Sequence, residues 1–181
     1  MRIVKTCVAA AAVCAFAGIA LAQAPEMPKP GKEMTDHKWM VGRWNVAETH
    51  EKSPFNPNGG TGKGVMTVTE GPGGFSHVVS YDSKGPMGAY SGRGLMAWSD
   101  ATKSYQSIWA DNATPGIMVS TCNMEGKDMV CKGEAEYQGQ KFQTRTRAKE
   151  PKPSGWTEVF ENSTDGTNWM KVMTLEFTPA K

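Results

Sequence analysis

Histidine is scarce in this chain: His37, His50 and His77 are the only three. None stands in a His-x-His, His-Glu-x-x-His or cysteine–histidine spacing, so the sequence signals of a zinc site are missing. Gly-x-Ser-x-Gly is missing too, and Ser91, within Gly88–Gly92, reads as strand, not as the strand-to-helix elbow of a nucleophile. Gly60-Thr61-Gly62-Lys63-Gly64 lacks both the Walker spacing and a following helix, which excludes a phosphate loop. No block of basic residues offers an electrostatic footprint for nucleic acid. Beyond residue 22 no apolar run is long enough to span a bilayer.

What is present begins with Arg2 and Lys5, followed by small and apolar residues from 6 to 22. This is the pattern of a secretory signal peptide, with small-x-small cleavage after Ala22 or after Ala24. Cys14 follows Val13, which is too large for the position before a lipidated cysteine. Removing Arg2 and Lys5 from the 20 basic residues leaves 18 against 18 acidic ones, so the mature charge balances. About 157 to 159 residues remain, enough for one domain with a real core. Periplasmic or secreted localisation is therefore expected. Residues 23–32 are proline-rich and polar and read as a flexible arm. Thr35 or Asp36 can cap a short helix through Val41, ended by Gly42.

From Trp44 onward the pattern has period two, broken by glycine-rich turns. Strands are expected at 44–50, 62–70, 75–82, 89–99 and 104–111, on either side of Gly126-Lys127, and at 141–149, 156–162 and 168–178. Phe75, His77, Val79 and Tyr81 share one face of the third. Tyr90, Gly92, Gly94, Met96 and Trp98 share one of the fourth, and Tyr105, Ser107 and Trp109 one of the fifth. In the last strand Trp169, Lys171, Met173, Leu175 and Phe177 alternate together. No helix is long enough to be a crossover. The expected fold is all-β: a closed or nearly closed antiparallel meander barrel of eight to ten strands, with the short helix (37–41) plugging one end. An open sandwich is the alternative.

Cys7 and Cys14 leave with the signal, and Cys122 and Cys131 remain. With Gly126-Lys127 as the turn centre, the two are equidistant from it and face each other across the hairpin, within reach of a disulfide. In an exported chain that bond is expected to be structural. The same register opposes Glu125 and Asp128, an acidic pair beside the turn.

Gly42-Arg43-Trp44, the glycine turn before Phe75, the segment 88–98 and Lys103-Ser104-Tyr105-Gln106-Ser107-Ile108-Trp109 together resemble the bacterial family called domain of unknown function 1579, over roughly residues 33–178. That family is similar to the calycins, the lipocalin and fatty-acid-binding-protein group. The resemblance implies that Gly42 and Trp44 are structural residues closing one barrel end. It implies no established activity, and no haem-ligand position transfers to a named residue.

A barrel of this size either fills its interior or holds a small ligand. His77, Tyr81, Tyr90, Met96, Trp98 and Trp109 are the candidate cavity lining, for a small apolar or amphipathic molecule. No cofactor or metal is implied. Copper on Met27, Met34 and His37 is too loosely spaced, and the methionines read better as core filling. His77 can be weighed as a haem ligand or, with Tyr81 or a glutamate, as an enzymatic residue, but a hydrogen-bonded interior histidine is the plainer reading. Arg93, Arg145 and Arg147 fall opposite the inward pattern and are expected outside. A filled barrel acting through exposed Trp109 or Trp156 is the structural alternative, with homo-oligomerisation open.

Overall fold

Ten strands follow one another round a closed barrel: β1 (Gly42–His50), β2 (Gly60–Glu70), β3 (Ser76–Gly85), β4 (Gly88–Ser99), β5 (Ser104–Asp111), β6 (Met118–Glu125), β7 (Asp128–Tyr137), β8 (Gln140–Lys152), β9 (Gly155–Ser163) and β10 (Met170–Pro179). Each pairs antiparallel with its chain neighbours, and β10 closes on β1, with Val46 opposite Phe177 and His50 opposite Met173. This computed structural model describes residues 27–53, 56–137 and 139–181. The segment expected to be a signal peptide, its expected cleavage positions, Cys7 and Cys14 lie outside them. The sheet has no free edge, because both terminal strands find their partners in each other.

Two strands depart from the expected alternation. Phe75 is not part of β3. It ends the short 3-10 turn Pro72–Gly74 and is 41% exposed. In β10 the register slips between Lys171 and Met173. Lys171 pairs with the outward Glu161, and Met173 with the inward Phe160. Trp169 and Lys171 therefore do not share the face of Met173, Leu175 and Phe177, because one bulged residue inverts the alternation. Trp169 instead lies outside, with the Arg145 guanidinium 4.2 Å above its ring, a cation–π contact.

The helix starts one turn earlier than expected. Gly31 precedes α1 (Lys32–Asp36), and its carbonyl accepts the Thr35 amide and hydroxyl, both at 3.3 Å. The chain then tightens into a 3-10 turn, His37–Met40. Nine residues make too short a helical piece to persist alone, and the barrel end holds it. Met34 and His37 are buried, Tyr105 Oη donates to Glu33 O at 2.9 Å, Trp44 Nε1 donates to Met40 O at 2.8 Å, and Lys38 pairs with Glu70 at 3.1 Å. Gly42, at φ +146°, leads the chain out of this plug into β1. Under the plug lies the apolar core: Trp44, Val46, Val68, Tyr105, Trp156 and Phe177, with the last two rings stacked at 4.2 Å.

The β6–β7 hairpin has the predicted register, with Cys122 opposite Cys131 and the two bonded, Cα atoms 3.9 Å apart. Glu125 and Asp128 do oppose each other at the turn. Arg147 on β8 resolves that repulsion by reaching both, at 2.9 and 3.1 Å. All three weighed arginines lie on the outer wall, Arg93 with Asp82 and Arg145 with Glu161.

Candidate functional site

An inward side chain in a closed sheet has its backbone wall behind it. It keeps accessible surface only where the lumen beside it is unfilled. By that criterion the interior divides into two halves. Next to the helix the inward residues Trp44, Val68, Met96, Tyr105, Trp156 and Phe177 are all buried. Towards the other end Tyr90, Trp109, Met118, Thr144, Phe160 and Met173 are inward by register yet only partly buried. Two shallow depressions elsewhere, one along Asn45, Lys63, Asp82 and Lys84 and one along Lys149, Lys152 and Thr178, lie on the outer wall.

The candidate cavity residues from the sequence fall into both halves. His77, Met96 and Trp98 belong to the plugged end. His77 is 1% exposed, its Nδ1 lies 3.4 Å from Nδ1 of His37, and the two rings stack with centroids 5.4 Å apart. No ligand reaches this imidazole unless the plug moves, so it is not placed to ligate haem. Burial, with a smaller contribution from nearby His77, lowers the pKa of His37 to about 4. Burial also lowers that of His77, with Glu70 opposing and Lys38 reinforcing. Both rings are therefore neutral at pH 7, one donating and one accepting. His37 Nε2 is buried without a partner among the described residues. Met27 stands 85% exposed while Met34 is buried beside His37, so the three do not gather round a metal. Among the described residues no cluster of three or more His, Cys, Asp or Glu has metal-binding geometry.

Tyr90 and Trp109 belong to the half-open end, and the buried Tyr81 stands at its inner boundary, where they meet two residues that the sequence did not single out. Trp44, Val46, Glu48 and His50 alternate along β1, and the last two carry the row from the core into the lumen. His50 Nε2 lies 2.8 Å from Glu48 Oε2, and Tyr81 Oη donates to Glu48 Oε1. Ser83 supplies a further hydrogen bond to this carboxylate. Burial alone would raise the pKa of Glu48. The bonds from His50, Ser83 and Tyr81 outweigh it and keep the pKa below the ordinary value. Burial and the Glu48 carboxylate push the Tyr81 phenol up, so it stays a neutral donor.

A second, connected group stands beside it. Trp109 Nε1 donates to Tyr90 Oη at 2.8 Å, and Tyr90 Oη donates to Asp111 Oδ2 at 3.0 Å. Asp111 Oδ1 accepts the amides of Ala113 and Thr114, which closes the loop after β5. The Tyr81 and Tyr90 rings sit 5.9 Å apart.

Glycines make the floor for these large groups. A Cβ at Gly62 would stand 2.1 Å from Glu48 Oε2, and one at Gly85 2.8 Å from the same oxygen. A Cβ at Gly64 would meet the Tyr81 ring at 2.6 Å, and at Gly92 or Gly94 the Trp109 indole at 2.2 or 2.4 Å. The missing side chains let the carboxylate and the two rings lie flat across neighbouring strands. The constellation of histidine, tyrosine and glutamate expected around His77 thus forms around His50. The available signal was the even-numbered row on β1 facing the glycines of β2. A further carboxyl, Glu158, faces inward beside Trp156, and burial raises its pKa to about 7. Trp109 and Trp156, offered as exposed aromatics, are both inward, and Trp156 is buried.

The model of the family described as protein of unknown function (DUF1579) matches residues 29–178, and the chain belongs to that family. No curated protein is similar enough in sequence to count as a match. Among solved structures the barrel is similar to Rv2717c from M. tuberculosis, with 8% identity and a TM-score of 0.59, covering 84% of this chain and 100% of that one. It is also similar to the S-type phycobiliprotein lyase CPES from Guillardia theta, with 9% identity and a TM-score of 0.52, covering 81% and 93%. At these identities the likeness is one of fold, a closed antiparallel β-barrel.

Proposed function

We propose that this DUF1579-family barrel binds one small amphipathic molecule in the half of its lumen away from the helix. It works by binding and not by catalysis, in the periplasm or outside the cell. The observation that carries the reading is the partial exposure of inward Tyr90, Trp109, Phe160 and Met173 in a sheet that is closed. Aromatic and methionine surface with a few fixed polar groups is the usual make-up of a small-molecule site. The likeness of the fold to a phycobiliprotein lyase is in keeping with a barrel that has a molecular partner. The apolar segment 6–22 and the Cys122–Cys131 bond support export to an oxidising compartment.

Titration with the neutral fluorophore N-phenyl-1-naphthylamine tests it. One saturable site is expected, with transfer from tryptophan, and Thr144→Trp should abolish it by filling the lumen. Absence of saturable binding, or binding unchanged in Thr144→Trp, would refute the reading.

An interaction role has one observation in its favour. Val78, Leu95, Ile108 and Val119 are paired in a continuous row across the outer face of β3–β6 and are 41, 37, 43 and 57% exposed. Such a row suits a second copy of the chain packed face to face. Sedimentation should then show a concentration-dependent dimer that Val119→Lys abolishes.

A further inference from the structure

We infer that the polar end of the bound molecule is a hydrogen-bond donor, a hydroxyl of the phenol or alcohol class, and that His50 Nδ1 accepts it. The inference rests on the lumen reading above and follows from which polar functions are already committed. The ionised Glu48 carboxylate can only accept. Its contact with His50 therefore requires the proton on Nε2, and in the neutral ring Nδ1 then carries a lone pair.

The neighbouring donors are all used. The hydroxyls of Tyr81 and Ser83 serve Glu48, Trp109 N–H serves Tyr90, and Tyr90 O–H serves Asp111. Asp111 in turn is filled by Tyr90 and two amides. His50 Nδ1 has no protein partner among the described residues, and the side chain keeps 11% of its surface exposed. The cluster thus offers an acceptor and no spare donor. An anionic head placed at this cluster would meet two carboxylates. Across the lumen, Ser120, Thr144 and Thr146 carry hydroxyls that donate or accept as needed, and they do not set the sense.

The arrangement is also rigid. Glu48 is clamped between Gly62 and Gly85, where no side chain intrudes. A carboxylate fixed behind an imidazole sets its tautomer and ring orientation, as it does behind metal-bound histidines. Glu48 is therefore a positioning residue, and His50 is the one that touches the ligand.

Three probes of equal skeleton test this on the full mature chain: 2-naphthol, which donates; 2-methoxynaphthalene, which cannot; and 2-naphthoate, which is anionic. The expected order is naphthol tightest, by roughly five- to tenfold over the methoxy compound, as one hydrogen bond provides, with naphthoate weakest. In His50→Phe the preference for naphthol over its methyl ether should fall to about one, because the acceptor is gone. In Glu48→Gln the preference should fall without vanishing. Nitrogen NMR of the wild-type imidazole, which needs no variant, should show His50 protonated at Nε2.

Equal affinity for naphthol and its methyl ether, tightest binding of naphthoate, or a ring protonated at Nδ1 would each overturn the inference and leave lumen binding standing. Failure of all three probes to bind would overturn the lumen reading, and this inference with it.

Discussion

The two histidines that meet where the plug sits on the barrel, His37 from the plug and His77 from β3, make this end sensitive to acid. His37 titrates at about 4 in the fold against an ordinary 6.5, and burial is the main cause. The sign follows from proton counting. Between these values the unfolded chain binds a proton that the folded one refuses, so stability present above pH 6.5 is lost as pH falls towards 4. At pH 4.5 the linkage amounts to about 2.5 kcal/mol, which is a large part of a typical domain's stability. His77, lowered in the same direction, adds to it. Urea unfolding at pH 7.5 and 4.5 measures the loss. His37→Asn keeps a polar group facing His77 but removes the titration, so its loss should be smaller by about 2 kcal/mol. Emission from Trp39, whose ring is 5.0 Å from His37, reports whether the plug moves first. An equal loss in both proteins would refute the assignment of acid sensitivity to this pair.

Three further outcomes follow from the same geometry. Tyr81→Phe withdraws a donor from the buried Glu48 carboxylate and should cost about 1–3 kcal/mol by urea denaturation. Gly92→Ala sets a methyl 2.2 Å from the Trp109 indole and should cost roughly 1–3 kcal/mol with a red-shifted tryptophan emission, a loss that Trp109→Leu in the same chain should reduce. Replacing both Cys122 and Cys131 by serine opens a short loop and should lower stability by about 2–3 kcal/mol in a thermal melt, without changing the strand content seen by circular dichroism.

The sequence by itself determined the meander, most strand positions and the disulfide. Each of these depends on local information: a period of two, glycine turns, and equal distances of Cys122 and Cys131 from Gly126-Lys127. It also determined that the three arginines face out, because alternation assigns them to the face opposite Phe142 and Tyr90. The site needed the tertiary structure. Which histidine meets the tyrosine and the glutamate depends on strand register between β1, β2 and β3, and that brings Tyr81 to Glu48 across 33 positions while His77 goes to His37 across 40. One bulge in β10 put Trp169 and Lys171 on the face opposite Met173, Leu175 and Phe177, against an alternation that had all five together. How far the lumen is filled depends on how all ten strands and the plug share one volume. Alternation says which way a side chain points, but only closure of the barrel decides whether anything stands opposite it.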